Sequence, residues 1–201
     1  MKLFPLYAID GSGTHPLGLP MCQNRLAVPM WSYAMEVLPP ARIIELGSYS
    51  GGFAIALGVH AYRIGARVIS YERSRAPMQE LAALGRFLGV VFRDQVDLWE
   101  CETEIAELIA GPGTSYVLCD GGSKPRELAV FAQYLKPGDV IAAHDYDAGH
   151  ALGVPDLERP WPWGEISKGD GDAVALVNDL EPWMQEHFDL TGWLAYRRKL
   201  A

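Results

Sequence analysis

The chain has 201 residues, 49% of them hydrophobic and 21% charged, which fits one globular domain and excludes a wholly disordered polypeptide. Acidic residues outnumber basic ones 25 to 17, a net charge of −8, so an extended nucleic-acid surface would have to form against the field of the whole molecule. No apolar run approaches the roughly 20 residues that cross a bilayer, and the start Met1-Lys2-Leu3-Phe4-Pro5 stops too early for a signal peptide. The expectation is a soluble, cytoplasmic protein with neither nucleic acid nor membrane as partner.

Residues 1–29 are rich in Gly and Pro (Gly11-Ser12-Gly13, Pro16, Gly18, Pro20) and lack a sustained period, which predicts an irregular arm or lid that includes His15. Met30, Trp31, Ala34, Met35 and Leu38 then recur at helical spacing, so a helix is expected over about 28–38, ended by Pro39-Pro40. Five short apolar runs follow: Arg42-Ile43-Ile44-Glu45-Leu46, Arg67-Val68-Ile69-Ser70-Tyr71, Val90-Val91-Phe92, Tyr116-Val117-Leu118-Cys119 and Val140-Ile141-Ala142-Ala143. Between them lie segments of helical character over 53–64, 77–88, 103–110 and 125–135. Continuous apolar strands alternating with helices indicate an α/β fold, a Rossmann-like, doubly wound and mainly parallel sheet with helices on both faces. One domain spanning 1–201 is expected. The chain closes with a Pro- and Trp-bearing loop over 148–171, a helix over about 172–188, and a β-like run from Thr191 to Tyr196.

The three cysteines, Cys22, Cys101 and Cys119, are odd in number and form no CxxC pair, which argues against a disulfide framework or a zinc knuckle. Cys119, inside an apolar run, reads as a small buried hydrophobe.

In wound sheets ligands sit beyond the carboxyl ends of the strands, where chain order reverses. The first such loop, Glu45-Leu46-Gly47-Ser48-Tyr49-Ser50-Gly51-Gly52-Phe53, joins a strand to a helix. It is not a dinucleotide fingerprint, because Tyr49 stands where a second glycine must admit the pyrophosphate. Nor is it a P-loop, because Phe53 replaces the phosphate-binding lysine. A ligand with an adenosine moiety and no phosphates would still use the glycines for backbone approach, the helix N-terminus for a carboxylate and an acid for an ammonium group. S-adenosylmethionine has that chemistry; a tight structural turn is the alternative. Glu72, ending the second strand, can accept both ribose hydroxyls or pair as a solvated charge with Arg73 or Arg75, and Arg93-Asp94-Gln95 after the third strand is the place for adenine contacts or a surface loop.

With these residues in view, the sequence resembles the class I S-adenosylmethionine-dependent methyltransferases. Glu45 to Gly52 is similar to their first motif, Glu72 to their ribose-binding acid, and Leu135-Lys136-Pro137-Gly138-Asp139-Val140-Ile141 to the turn entering their fifth strand. The likeness spans about 28–147 and is nearest to small metal-dependent O-methyltransferases of the catechol and macrocin types. Those families hold one magnesium ion between an aspartate after the fourth strand and an acidic or amide pair after the fifth. The corresponding positions here are Asp120, and His144 with Asp145. His144 departs from the family pattern, and an imidazole ligand leaves Mg2+, manganese, iron, zinc or no metal open.

The resemblance implies S-adenosylmethionine as cofactor, Glu45, Gly47, Ser48, Tyr49, Gly51, Gly52, Glu72, Arg73, Asp94, Gln95 and Asp120 as its binding residues, and Asp120, His144 and Asp145 as metal ligands. It further implies O-methylation of a small hydroxylated molecule, with Asp120, His144 and Asp145 in the catalytic group and Lys124 or His150 as general base. The residues 155–163, with Trp161-Pro162-Trp163, would offer aromatic surface to that acceptor. A two-histidine iron site using His144, Asp145, Asp147 and His150 is weighed too, but the HxD spacing would need an acid where Tyr146 stands. A non-catalytic cofactor-binding module or partner subunit is the alternative reading, and a homodimer is left open.

Overall fold

The computed structural model of the protein describes residues 19, 21–24, 26–74, 76–77, 79–146 and 164–200. Each apolar run named above forms a strand: β1 (Arg42–Leu46), β2 (Arg67–Glu72), β3 (Val90–Asp94), β4 (Ser115–Cys119) and β5 (Val140–Ala143). They are parallel and separated by α2 (Gly52–Ile64), α3 (Gln79–Leu88), α4 (Glu102–Ala110) and α5 (Lys124–Ala132), while α1 (Ala27–Val37) precedes them. After β5 come α6 (Lys168–Val177), β6 (Leu180–Pro182), α7 (Gln185–Phe188) and β7 (Leu194–Arg198). The sheet order is β3-β2-β1-β4-β5-β7-β6, and β7 runs antiparallel to both of its neighbours.

Both faces of the sheet are dry, which explains why its strands read as unbroken apolar runs rather than alternating ones. On one face Ile43, Val68, Leu118 and Ala142 pack against α1 and α2. On the other, Ile44, Ile69, Val117 and Ile141 pack against Ile105 of α4 and Phe131 of α5. An aromatic cluster ties α1 to the C-terminal elements on the same face of the sheet: Trp31 lies 4.6 Å from Phe188 and 5.3 Å, edge-on, from Trp193, measured between ring centres.

The C-terminal third differs from the sequence expectation. The helix expected over about 172–188 is instead α6, an edge strand and one short helical turn. Ser167 starts α6 early, inside the segment expected to be loop, because its hydroxyl accepts from the Asp170 N–H while Asp170 reaches back to the Ser167 N–H. The helix ends near Asn178-Asp179, where Asp179 has φ +51°, and Pro182 is compatible with the outermost strand because an edge position needs no inward amide donor. The last strand starts at Leu194, after a turn through Thr191–Trp193, and ends at Arg198. Replacing Trp31 by Ala should cost about 3–5 kcal/mol of stability, the usual loss for a fully enclosed aromatic, as read from the urea midpoint.

Candidate active site

Chain order reverses between β1 and β4, and the carboxyl ends of these strands open onto a cavity of about 620 Å³. Gly47 allows their closure: its φ is +98°, and a Cβ there would overlap the Asp120 carbonyl. The N–H groups of Gly47 and Ser48 donate to Tyr71 O at 2.8 and 3.0 Å, and the Asp120 N–H donates to Leu46 O at 2.8 Å. Three strand ends are thereby stapled at one edge. Gly51, left-handed at φ +86°, turns the chain into α2.

On the β2 side the Glu72 carboxylate is held open to the cavity. One oxygen accepts from the Tyr49 N–H at 2.9 Å, the other from the Ser74 N–H at 2.8 Å and hydroxyl at 2.6 Å. Gly47, Tyr49, Glu72, Arg73 and Asp120 all line this space. Ser48, Gly51 and Gly52 shape the turn without lining it. Arg93, Asp94 and Gln95 are exposed and do not reach it, and Arg93 is instead engaged by Glu104 at 2.9 Å. Their place in the wall is taken by Asp97, Leu98 and Trp99. Trp99 lies parallel to Phe131, 6.3 Å between ring centres, and carries Arg126 3.7 Å over its ring.

Glu45 also departs from expectation. It is 1% exposed, does not line the cavity, and accepts from the Ser70 hydroxyl. Burial, with the charges of Asp120 and Glu72 adding to it against the Ser70 bond, pushes its carboxyl up to about 8. A neutral carboxylic acid at pH 7 offers no counter-charge to an ammonium group.

On the β4–β5 side, Asp120, His144 and Asp145 present donor atoms that lie within 4.8 Å of one another. His144 Nδ1 is 3.0 Å from Asp120 Oδ1 and 3.4 Å from Asp145 Oδ1. The imidazole packs 4.7 Å from the Trp193 ring. Asp145 adopts φ +59°, an uncommon backbone for a non-glycine residue that turns its carboxylate into the cluster. Burial raises the Asp120 carboxyl, opposed by His144 and Lys124.

Lys124, 6% exposed, reaches Asp145 Oδ2 at 2.6 Å and Glu165 Oε2 at 3.0 Å and lies 4.0 Å from Asp120 Oδ1. Burial pulls its ammonium down, but the charges of Asp120 and Asp145 outweigh that and push it well up. Its contacts are those of a cation that balances Asp145 and Glu165. His150, Asp147, His15, the arm over 1–18 and the tryptophans of 155–163 lie outside the described residues.

Two carboxylate oxygens and one imidazole nitrogen at a polar cavity edge form a donor set suited to a divalent cation, and more to manganese, iron or zinc than an all-oxygen set would be. Sequence reasoning missed Trp99, Glu165 and Gln23, whose Nε2 donates to Asp120 Oδ2 at 2.7 Å. The first had a local signal, an aromatic a few residues past the third strand. Glu165 and Gln23 had none.

No family model and no curated protein matches the sequence. Solved structures do. CmcI in its apo form aligns at 17% identity over 93% of this chain and 76% of its own, with a TM-score of 0.66. CmcI described as its Mg-SAM form aligns at 18% over 90% and 74%, with a TM-score of 0.64. A putative caffeoyl-CoA O-methyltransferase from Staphylococcus aureus aligns at 11% over 89% and 86%, with a TM-score of 0.55. This chain has the class I methyltransferase fold. Among the described residues no helix is long and apolar enough to cross a membrane.

The Glu45 environment makes a testable demand. Between pH 4.5 and about 8 the folded chain holds a proton on Glu45 that the unfolded chain has released, so stability falls as pH rises through that window. One proton sets a limiting slope of about 1.4 kcal/mol per pH unit. Urea unfolding across the window should show Glu45→Gln less sensitive to pH than wild type and more stable at its alkaline end.

Proposed function

We propose that the chain is an S-adenosylmethionine-dependent O-methyltransferase for a small hydroxylated molecule, assisted by a divalent cation. The observation supporting this reading best is the joining, in one cavity at the switch point, of an outward-held acid at Glu72 with the three converging donors Asp120, His144 and Asp145. The first half suits a ribose diol and the second a cation beside it. The solved relatives named above share the fold, and one of them is described with Mg-SAM.

Each part then has a task. Glu72, fixed by two backbone donors, accepts from the ribose hydroxyls without having to reorganise. Gly47, with no Cβ to strike the Asp120 carbonyl, lets the β1 turn and the β4 end close together at the edge where the cofactor's amino-acid end would lie. Trp99, braced by Phe131 and Arg126, offers a flat apolar wall to the adenine. Asp120, His144 and Asp145 would hold the cation, which supplies Lewis-acid polarisation of the acceptor hydroxyl and lowers its pKa. Lys124 balances the charge of Asp145 and Glu165 and fixes the Asp145 carboxylate by its Oδ2. Alignment of the acceptor oxygen with the methyl group and the sulfur is the remaining requirement, an in-line displacement governed by positioning.

Glu72→Ala should weaken S-adenosylmethionine by about 1.5–3 kcal/mol, the range for hydrogen bonds to an ionised group, in titration calorimetry. An unchanged affinity removes Glu72 from the site. Asp145→Asn, whose amide tolerates the same left-handed backbone, should lower transfer to a catechol or vicinal-diol acceptor by about 100-fold or more while sparing cofactor affinity. Full activity after treatment with a chelator would overturn the metal assistance. Cofactor binding with no turnover on any hydroxylated acceptor would favour the non-catalytic alternative.

A further inference from the structure

Two residues outside the cluster decide which carboxylate oxygens face its centre. Gln23, 2% exposed in the segment that leads into α1, donates from Nε2 to Asp120 Oδ2 at 2.7 Å. Its own Oε1 accepts from the Trp193 indole Nε1–H at 3.1 Å. An indole nitrogen can only donate, so Trp193 fixes the orientation of the Gln23 amide: the oxygen faces the indole and the NH2 faces Asp120. The reversed amide would set its oxygen against a carboxylate oxygen and leave the indole donor without an acceptor. Trp193 is fully buried, packed between Trp31, Phe53 and the His144 imidazole. The segment holding Gln23 is pinned in turn by Asn24, whose Nδ2 donates to Leu190 O at 3.2 Å.

The other carboxylate is treated the same way. Lys124 Nζ occupies Asp145 Oδ2 at 2.6 Å. With each Oδ2 engaged from outside, the two Oδ1 atoms are the ones that converge on His144 Nδ1, at 3.0 and 3.4 Å.

We propose that Gln23, locked by Trp193, is a positioning residue that makes Asp120 a one-oxygen ligand and so sets the geometry of the divalent-cation site. This rests on the metal-assisted reading above. Outer partners of this kind orient ligands without touching the ion, and their loss characteristically weakens metal affinity more than it disturbs the fold.

The test is manganese binding to the purified protein, followed by electron paramagnetic resonance of the free aquo ion, with S-adenosylhomocysteine affinity measured on the same samples by calorimetry. Gln23→Leu should weaken Mn2+ by roughly 10- to 100-fold and leave S-adenosylhomocysteine affinity unchanged. Trp193→Phe, which keeps the ring against His144 but removes the indole donor, should weaken Mn2+ in the same direction by less, and it decides the matter if the Leu variant does not fold. Wild-type Mn2+ affinity in the folded variants overturns the positioning role while sparing the metal site. Parallel loss of both affinities overturns it too, since a general structural defect then explains the effect. If the wild-type protein binds no Mn2+, the metal-assisted reading fails and this inference falls with it.

Discussion

The contact on which the site depends is backbone against backbone, where the turn after β1 presses on the end of β4. Gly47 has no side chain there, and its left-handed φ aims the missing Cβ at the Asp120 carbonyl. Any other residue would force the two loops apart. Because Gly47 N–H also bonds to Tyr71 O and Asp120 N–H to Leu46 O, the ends of β2, β1 and β4 move as one body. Glu72 and Asp120, which sit on opposite sides of β1, are held in a fixed relation by that body rather than by any bond between them. Preorganisation of this kind is what the proposed in-line transfer requires.

Charge balance is the second constraint. Asp120, Asp145 and the half-exposed Glu165 gather around Lys124, and Glu127, fully buried, satisfies the N–H groups of Gly121 and Ser123 close by. Three carboxylates sharing one ammonium still leave negative charge at the cavity edge. A divalent cation is the physical complement to that excess, and removing Lys124 would leave buried carboxylates to compete for protons.

The parallel half of the sheet was legible because a strand buried on both faces must be apolar at every position, a signal that needs no partner to be read. The same logic located Glu72, Asp120, His144 and Asp145, since residues that end neighbouring parallel strands come to one edge whatever their loops do. What depended on distant partners was hidden. Leu180-Glu181-Pro182 is too short to announce a strand, and the apolar spacing from Val174 through Phe188 imitates a continuous helix; only pairing with Arg197 and Tyr196 makes it an edge. Trp99 was hidden because β3 ends at Asp94 and the chain runs on a few residues before it meets the cavity wall. Glu165, 41 residues after Lys124, was hidden in the same way, although it completes the carboxylate cage around that ammonium. Glu45 looked like a cofactor acid because strand position alone does not say which face a side chain takes.

The antiparallel strand β7 lies between β5 and the edge strand β6, and the turn leading into it delivers Trp193 to His144 and Gln23. The bond from Gln23 to Trp193 spans 170 residues and that from Asn24 to Leu190 spans 166. Contacts of such separation close late, since loop entropy is lost before they contribute anything. The link from the indole through the Gln23 amide to Asp120 therefore joins two segments far apart in the chain, one ahead of β1 and one just ahead of β7. A change in the turn before β7 would thus be felt at the strand edge, although no described residue of that turn lines the cavity.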